Sequence, residues 1–344
     1  MRSRSKGHRA RGLGAIVAAT MLAGAGACSS AAGGGSGGGS TGGGSSSSLT
    51  ISYSEKVGDE LPLWIAQDAG IFKKHHVNVT LRYISGNRGI PALLSGQTQI
   101  ASIGGSAALA AEAQGASLKY VLTLVPQYTF SFWTQPKNAS AAAMKGQRVG
   151  ITSSTGSAYV GTVLSLKQLG LGASDVQLVS LGSTQNVDSA LISGTIAGAA
   201  SHPPSTYKFQ KQGLKELVNL PAKHIPAAMS GFAVQSSYLS GNKTAVQNVV
   251  LSILQAIQKE KSDKAFAEQE MAKYMGVTDK AEADYTYDFY ANQMAASVPV
   301  PDVSQFAATK VALAKKDAAV SGVNLHDLID PALVQAAAKQ LGEG

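Results

Sequence analysis

The residues whose types and spacing could do chemistry point to binding rather than to bond-breaking. Ser153-Ser154-Thr155-Gly156-Ser157 sets four hydroxyls and consecutive backbone N–H groups ahead of a helical pattern. Such a loop suits an anion, because helix N-termini carry free N–H groups and partial positive charge. Its hydroxyls exceed what helix capping alone requires. Gly104-Gly105-Ser106 offers close backbone approach and one more hydroxyl, whereas Ser183-Thr184-Gln185-Asn186 is accounted for by capping. Arg88, after Gly86-Asn87, could pair bidentately with a sulfonate, phosphate or carboxylate, or sit solvated on the surface. Asp59-Glu60 would repel a bare anion but could receive a ligand amine. His202, ahead of Pro203-Pro204, could hydrogen-bond or stack on a ligand, or be a satisfied core histidine. In Tyr128–Thr134, alternation puts Tyr128, Phe130 and Phe132 on one face and Trp133 on the other, where it could reach a ligand. Trp64 reads as core.

Catalytic alternatives find no footing. Outside the low-complexity Gly/Ser run 29–48, where such patterns arise from composition alone, the chain has no G-x-S-x-G, H-E-x-x-H, Walker A or G-x-G-x-x-G pattern, so no catalytic residue is expected. His75-His76 lies at a helix–strand turn with no carboxylate or cysteine in sequence reach, so no metal and no cofactor are expected. The single cysteine excludes an internal disulfide framework. The formal charge of +8, from 29 basic and 21 acidic residues, invites a nucleic-acid reading. Five of those basic residues, Arg2, Arg4, Lys6, Arg9 and Arg11, fall in the first 27 positions, and the rest are scattered without an aromatic-interleaved stripe. No nucleic-acid partner is expected.

These residues need elements to position them. Apolar residues make up 44 % of the 344-residue chain and aromatics only 6 %, so a core must be built from Ala, Leu, Ile and Val. Strand and helix patterns alternate through the first two hundred residues after Leu49. Strands are predicted at 49–53, 77–83, 99–103, 119–125, 147–152, 176–180, 196–200 and 217–220, and helices between most of them. Such alternation argues for parallel sheets covered by helices. A weak echo links two halves: Leu93-Leu94-Ser95-Gly96 and Leu191-Ile192-Ser193-Gly194 each end a helix just before a strand. From Ser240 onward the pattern is helical.

The first 48 residues read as an address and a tether. A basic start, the uncharged run Gly12–Ala27 and small residues before Cys28 describe a secretory signal. Ala25-Gly26-Ala27-Cys28 resembles a bacterial lipobox, with Ala25 in place of the usual Leu. That resemblance implies cleavage before Cys28 and lipidation of its sulfur. Ser29–Ser48 contains only Ser, Ala, Gly and Thr, a composition expected to form a flexible coil reaching roughly 25 Å. No later segment has 18 uninterrupted apolar residues.

Several motifs together resemble a known family. Leu61-Pro62-Leu63-Trp64-Ile65-Ala66, Ala69-Gly70-Ile71-Phe72 and Val77-Asn78-Val79 are similar to the opening of ABC-transporter substrate-binding proteins of the sulfonate, nitrate and thiamine-precursor type. Leu94-Ser95-Gly96, Lys145–Gly150, Ser153–Ser157 and Ala190-Leu191 with Ser193-Gly194 follow in matching order over residues 49–235. The resemblance implies an α/β protein with the two-lobed type II periplasmic-binding-protein fold. Each lobe is then a mainly parallel sheet flanked by helices, with two hinge crossings and the ligand in the cleft. Expected boundaries are 1–27 for the signal peptide, 28–48 for the lipidated tether, 49–127 and 231–344 for lobe one, and 128–230 for lobe two. Tyr128–Thr134 and Gly231–Gln235 are the candidate hinge strands. The implied function is capture of a small organic anion, sulfonate- or taurine-like, for an ABC permease. A thiamine-type pyrimidine precursor or other small aromatic is the alternative, and a ligand-sensing partner of a membrane receptor is another. A monomer is expected, exported and anchored through Cys28 to the outer face of the cell membrane. Open α/β sheets bind ligands beyond the carboxyl ends of their strands. The candidate ligand residues are therefore Asp59, Glu60, Arg88, Gly104, Gly105, Ser106, Trp133, Ser154, Thr155, Gly156, Ser157 and His202.

Overall fold

Ten strands form two five-stranded sheets in a computed structural model that describes residues 46–343. The expected signal peptide, Cys28 and the tether as far as Gly44 and Ser45 lie outside the described residues. The strands are β1 (Ser47–Tyr53), β2 (Val77–Tyr83), β3 (Ile100–Ser102), β4 (Leu118–Gln127), β5 (Ser131–Thr134), β6 (Arg148–Ile151), β7 (Gln177–Ser180), β8 (Gly198–Ser201), β9 (Lys215–Asn219) and β10 (Pro226–Gln235). Ser47 and Ser48, assigned by composition to the tether, instead open β1. Strand pairing overrides composition there, since Ser47 and Ser48 lie in register with Val77 and Asn78 of β2.

Lobe one carries the order β2-β1-β3-β10-β4 and lobe two the order β7-β6-β8-β5-β9. In each, a central strand pairs in parallel with two neighbours: β1 with β2 and β3, and β6 with β7 and β8. In each, two further strands run antiparallel: β10 beside β3 and β4, and β5 beside β8 and β9. The sheets are therefore mixed, because the chain enters each lobe from the other and must return against the parallel set. The repeated order gives the Ser-Gly echo of the sequence a topological counterpart.

The crossings differ from the expected hinge strands. Tyr128–Phe130 connects β4 to β5, while Ser131–Thr134 is already a strand of lobe two. Gly231–Gln235 is not a crossing; it is the second half of β10, which pairs with lobe one from Pro226 onward, opposite Gln127. The return crossing is Leu220–Ile225, so the expected boundary at 230/231 falls too late.

Beyond β10, helix Lys243–Ser262 buries Val246, Val249, Val250, Ile253, Leu254 and Ile257 at helical spacing. It packs against helices Leu61–Asp68 and Ala332–Leu341. Two later helices end in wider π-type turns, Met271–Met275 and Asp288–Met294.

Candidate functional site

The parallel strands of both lobes end at a common seam. From lobe one, β1 leads into Ser54–Glu60 and β3 into Ile103-Gly104, followed by helix Gly105–Ala113. From lobe two, β6 leads through Thr152–Gly156 into helix Ser157–Gln168, and β8 leads into His202-Pro203. Neither helix has a side-chain cap at its N-cap residue, Gly104 or Gly156. Their first N–H groups thus stay available to a ligand.

Between these loops lies a cavity of about 40 Å³, lined by Ser54, Glu55, Asp59 and Glu60 on one wall and by Thr152, Gly156 and Ser157 on the other. Asn87, Gly104, Met229 and Ser230 are also among its lining residues. That volume holds little more than a water molecule. The lobes touch directly around it. Asn87 Nδ2 donates to Thr155 Oγ1 at 2.6 Å, Ser85 Oγ donates to Gly182 O at 3.2 Å, and Ser106 Oγ and Ser157 Oγ share a hydrogen bond of 3.2 Å. Gly104 makes this approach possible: a Cβ there would lie 2.1 Å from Ser157 Oγ.

The charged groups form one buried network. Glu55 Oε2 stands 3.4 Å from His202 Nε2, an ion pair across the seam. His202 is 1 % exposed, its Nδ1 lies 3.1 Å from the Tyr290 hydroxyl, and its ring packs on Phe130. Burial opposes the charged imidazole, but the Glu55 carboxylate beside it and the charge of Asp59 outweigh it and raise its pKa to about 9. Burial also raises Asp59, to about 6, against the lowering effect of the His202 charge. Glu60 is pushed well above the usual carboxylate range by burial, in spite of the hydrogen bond it accepts from Ser102 Oγ at 2.6 Å. Asp59 Oδ1 and Ser230 Oγ are buried without a hydrogen-bond partner among the described residues.

The sequence candidates separate into three groups. Asp59, Glu60, Gly104, Gly156 and Ser157 line the cavity. Ser106 and Thr155 hold the seam, the Ser154 carbonyl accepts from Lys316 Nζ at 3.3 Å, and His202 backs Glu55. Arg88, Trp133 and Gly105 are elsewhere. Arg88 is exposed and its Nε donates to the Ser85 carbonyl, because the turn at 86–88 points Asn87 rather than Arg88 at the seam. Trp133 is buried with Val187, Leu191 and Phe209 in the second core of lobe two, its Nε1 donating to Ser131 Oγ. Gly105 packs on Ala228 and Phe306. Sequence reasoning missed Glu55, Asn87, Thr152, Ser230 and Tyr290. Glu55 was within reach, since it stands two residues beyond the end of β1.

Two mixed sheets, two crossings and a cleft at the strand ends are the architecture of the periplasmic binding proteins. Within that class the chain belongs to the NMT1/THI5-like family, whose model matches residues 58–263. The riboflavin-binding protein RibY of Chloroflexus aurantiacus is 24 % identical over 216 residues. That match covers 61 % of this chain and spans 61 % of the length of RibY. Among solved structures, the alkanesulfonate-binding protein SsuA of Xanthomonas axonopodis pv. citri, bound to MOPS, superposes with a TM-score of 0.68 at 22 % identity, covering 85 % of this chain and 98 % of its own. The periplasmic aliphatic sulphonate-binding protein SsuA of Escherichia coli gives 0.67 at 18 % identity, covering 83 % and 92 %. Both SsuA neighbours are named as binding proteins.

Proposed function

We propose that this chain is an extracytoplasmic solute-binding protein that closes its lobes over a small organic molecule and delivers it to an ABC permease. The ligand carries an amine at one end and an acidic or acceptor-rich group at the other, as in a taurine-like sulfonate. One observation carries this reading: Glu55, Asp59 and Glu60 face Thr152, Gly156 and Ser157 across a single cavity. The carboxylate wall suits a cation, and the start of helix Ser157–Gln168 suits an anion. No lysine or arginine lines the cavity, which disfavours a bare anion such as nitrate. Glu55, Asp59 and Glu60 would take the amine, Gly156 and Ser157 the sulfonate, and Gly104 would set the lobe spacing. His202 would orient Glu55. The protein would act as a monomer, held at the outer face of the membrane by a lipid on Cys28.

A second reading rests on Glu60. A carboxyl kept protonated by burial offers a donor beside an acceptor, complementary to the amino and ring-nitrogen edge of an aminopyrimidine. A thiamine-type pyrimidine precursor would then fill the cleft.

Calorimetric titration of the full chain with taurine, ethanesulfonate and an aminopyrimidine thiamine precursor separates the readings. Taurine should bind at least about tenfold more tightly than ethanesulfonate, equal to about 1.4 kcal/mol. Equal binding of the two sulfonates would sink the mixed-ligand reading. Binding of the pyrimidine alone would establish the second one.

A further inference from the structure

A larger cavity, of about 510 Å³, is bounded by both crossings, by lobe two and by the C-terminal segment Tyr285–Met294. Its volume falls in the range of small-molecule sites, roughly 300–1,000 Å³. Thr129 of the first crossing and Pro221, Ala222 and His224 of the second contribute to its wall, with Ser131 and Asn219 from the adjoining strands of lobe two. Pro203, Pro221 and Met294 are buried, and Tyr285 and Phe289 stand half-buried beside them. Glu216 and Asp288 stand exposed at its rim, and no lysine or arginine lines it. Asn292 Nδ2 and Gln293 Nε2 donate to the two oxygens of Asp288 at 2.9 and 2.7 Å, which favours the ionised carboxylate. His224 lines the wall as well, its Nδ1 within 3.2 Å of Gln127 Oε1. Thr129 is 1 % exposed, and its hydroxyl has no hydrogen-bond partner among the described residues.

We propose that this cavity is a second ligand site, distinct from the cleft, that takes a small organic amine with an aromatic or short apolar body. The amine would sit between Glu216 and Asp288. The apolar body would pack on Phe289, Met294 and Pro203, and a polar substituent would satisfy Thr129. This proposal stands whatever the cleft binds. The two sites would nonetheless communicate through Tyr290. Its neighbours Asp288, Phe289, Gln293 and Met294 line the second cavity. Its hydroxyl donates to Pro203 O at 2.9 Å and lies 3.1 Å from His202 Nδ1. Its ring packs so closely on Gly58, beside the cleft wall, that a Cβ there would lie 2.0 Å away. An occupant touching both crossings favours one lobe arrangement and so alters the affinity of the cleft, and the effect is reciprocal.

The test is calorimetric titration of the full chain with phenethylamine and with its neutral isostere 2-phenylethanol. It is run on the wild type, on the doubly substituted Glu216→Gln, Asp288→Asn protein, and on Glu55→Gln. The amine should bind the wild type and should still bind Glu55→Gln, with no more than the severalfold change that coupling between the sites allows. The alcohol, and the amine with the double variant, should bind at least about tenfold more weakly. Equal binding of alcohol and amine to the wild type overturns the proposal, and that comparison needs no variant to fold. Undiminished binding to the double variant also overturns it. A loss in Glu55→Gln as large as in the double variant, beyond what coupling allows, would place the probe in the cleft and overturn it too.

Discussion

Asp59 illustrates how a single cavity-lining residue can weaken the fold. Its carboxyl is 4 % exposed, leaves Oδ1 without a partner, and has a pKa raised to about 6. Raising an acid above its unfolded value favours the protonated form in the native state. Its contribution is therefore most favourable below about pH 4 and is lost as pH rises through about 6. Asp59→Asn should accordingly stabilise the ligand-free protein at pH 7, by on the order of 2 kcal/mol, and flatten the acid side of its stability profile. The same substitution should abolish most ligand affinity. Thermal melts between pH 4 and 8 alongside titration check both halves, and a destabilised Asp59→Asn protein would refute the first. Much at this scale was legible in the sequence. Position just beyond β1 was enough to select Asp59 and Glu60. Their partners were not legible, because His202 and Tyr290 reach the site from more than a hundred residues away. Trp133 misled for another reason. Alternation correctly set it opposite Phe132, but the sheet of lobe two is covered on both faces, so the second face was core as well.

At the scale of elements, the seam depends on how closely two helix N-termini approach. Helix Gly105–Ala113 follows Gly104, and helix Ser157–Gln168 begins at the residue that a Cβ on Gly104 would strike. Gly104→Ala should hold the lobes apart, lower ligand affinity by about tenfold or more and leave each lobe folded. Removing the struck hydroxyl as well, in a Gly104→Ala, Ser157→Ala protein, should restore part of the closure, because the remaining neighbour, Met229 O, is 3.0 Å away and needs only a small shift. Solution scattering would register the change, and an unexpanded Gly104→Ala protein would count against the seam. Element identity was readable from strand–helix alternation and turn residues for most of β1 to β9. The return crossing was not, because the apolar run Gly231–Gln235 reads as a hinge strand while the true crossing, Leu220–Ile225, carries no strand signature. Only pairing partners, such as Pro226 opposite Gln127, separate them.

At the scale of the whole molecule, the buried His202 and the partly exposed Glu55 link the lobes by an ion pair. The groups facing His202 are Glu55, Asp59, Asp188 and the Tyr290 hydroxyl. An ordinary histidine loses its proton near 6.5, whereas His202 in the closed arrangement holds it to about 9. A raised histidine pKa stabilises closure fully below about pH 6.5, and that contribution is lost as pH climbs through about 9. The radius of gyration of the wild-type chain should grow between pH 6 and 9.5, and His202→Gln should remove that dependence. A wild type of constant size across the range would exclude the ion pair as a closing force. The repeated strand order has the same reach: each lobe presents its parallel strand ends to the same seam, so residues of both lobes line the cavity.

The 40 Å³ cavity has a kinetic consequence. A ligand of several heavy atoms cannot enter the shut arrangement, so every capture must wait for the lobes to part. Whenever the shut form predominates before capture, uptake runs at a rate set by opening. Beyond some concentration, adding ligand then no longer speeds loading. Asn87–Thr155, Ser106–Ser157 and Glu55–His202 hold this ligand-free form shut, so weakening any of them should raise the ceiling on the loading rate.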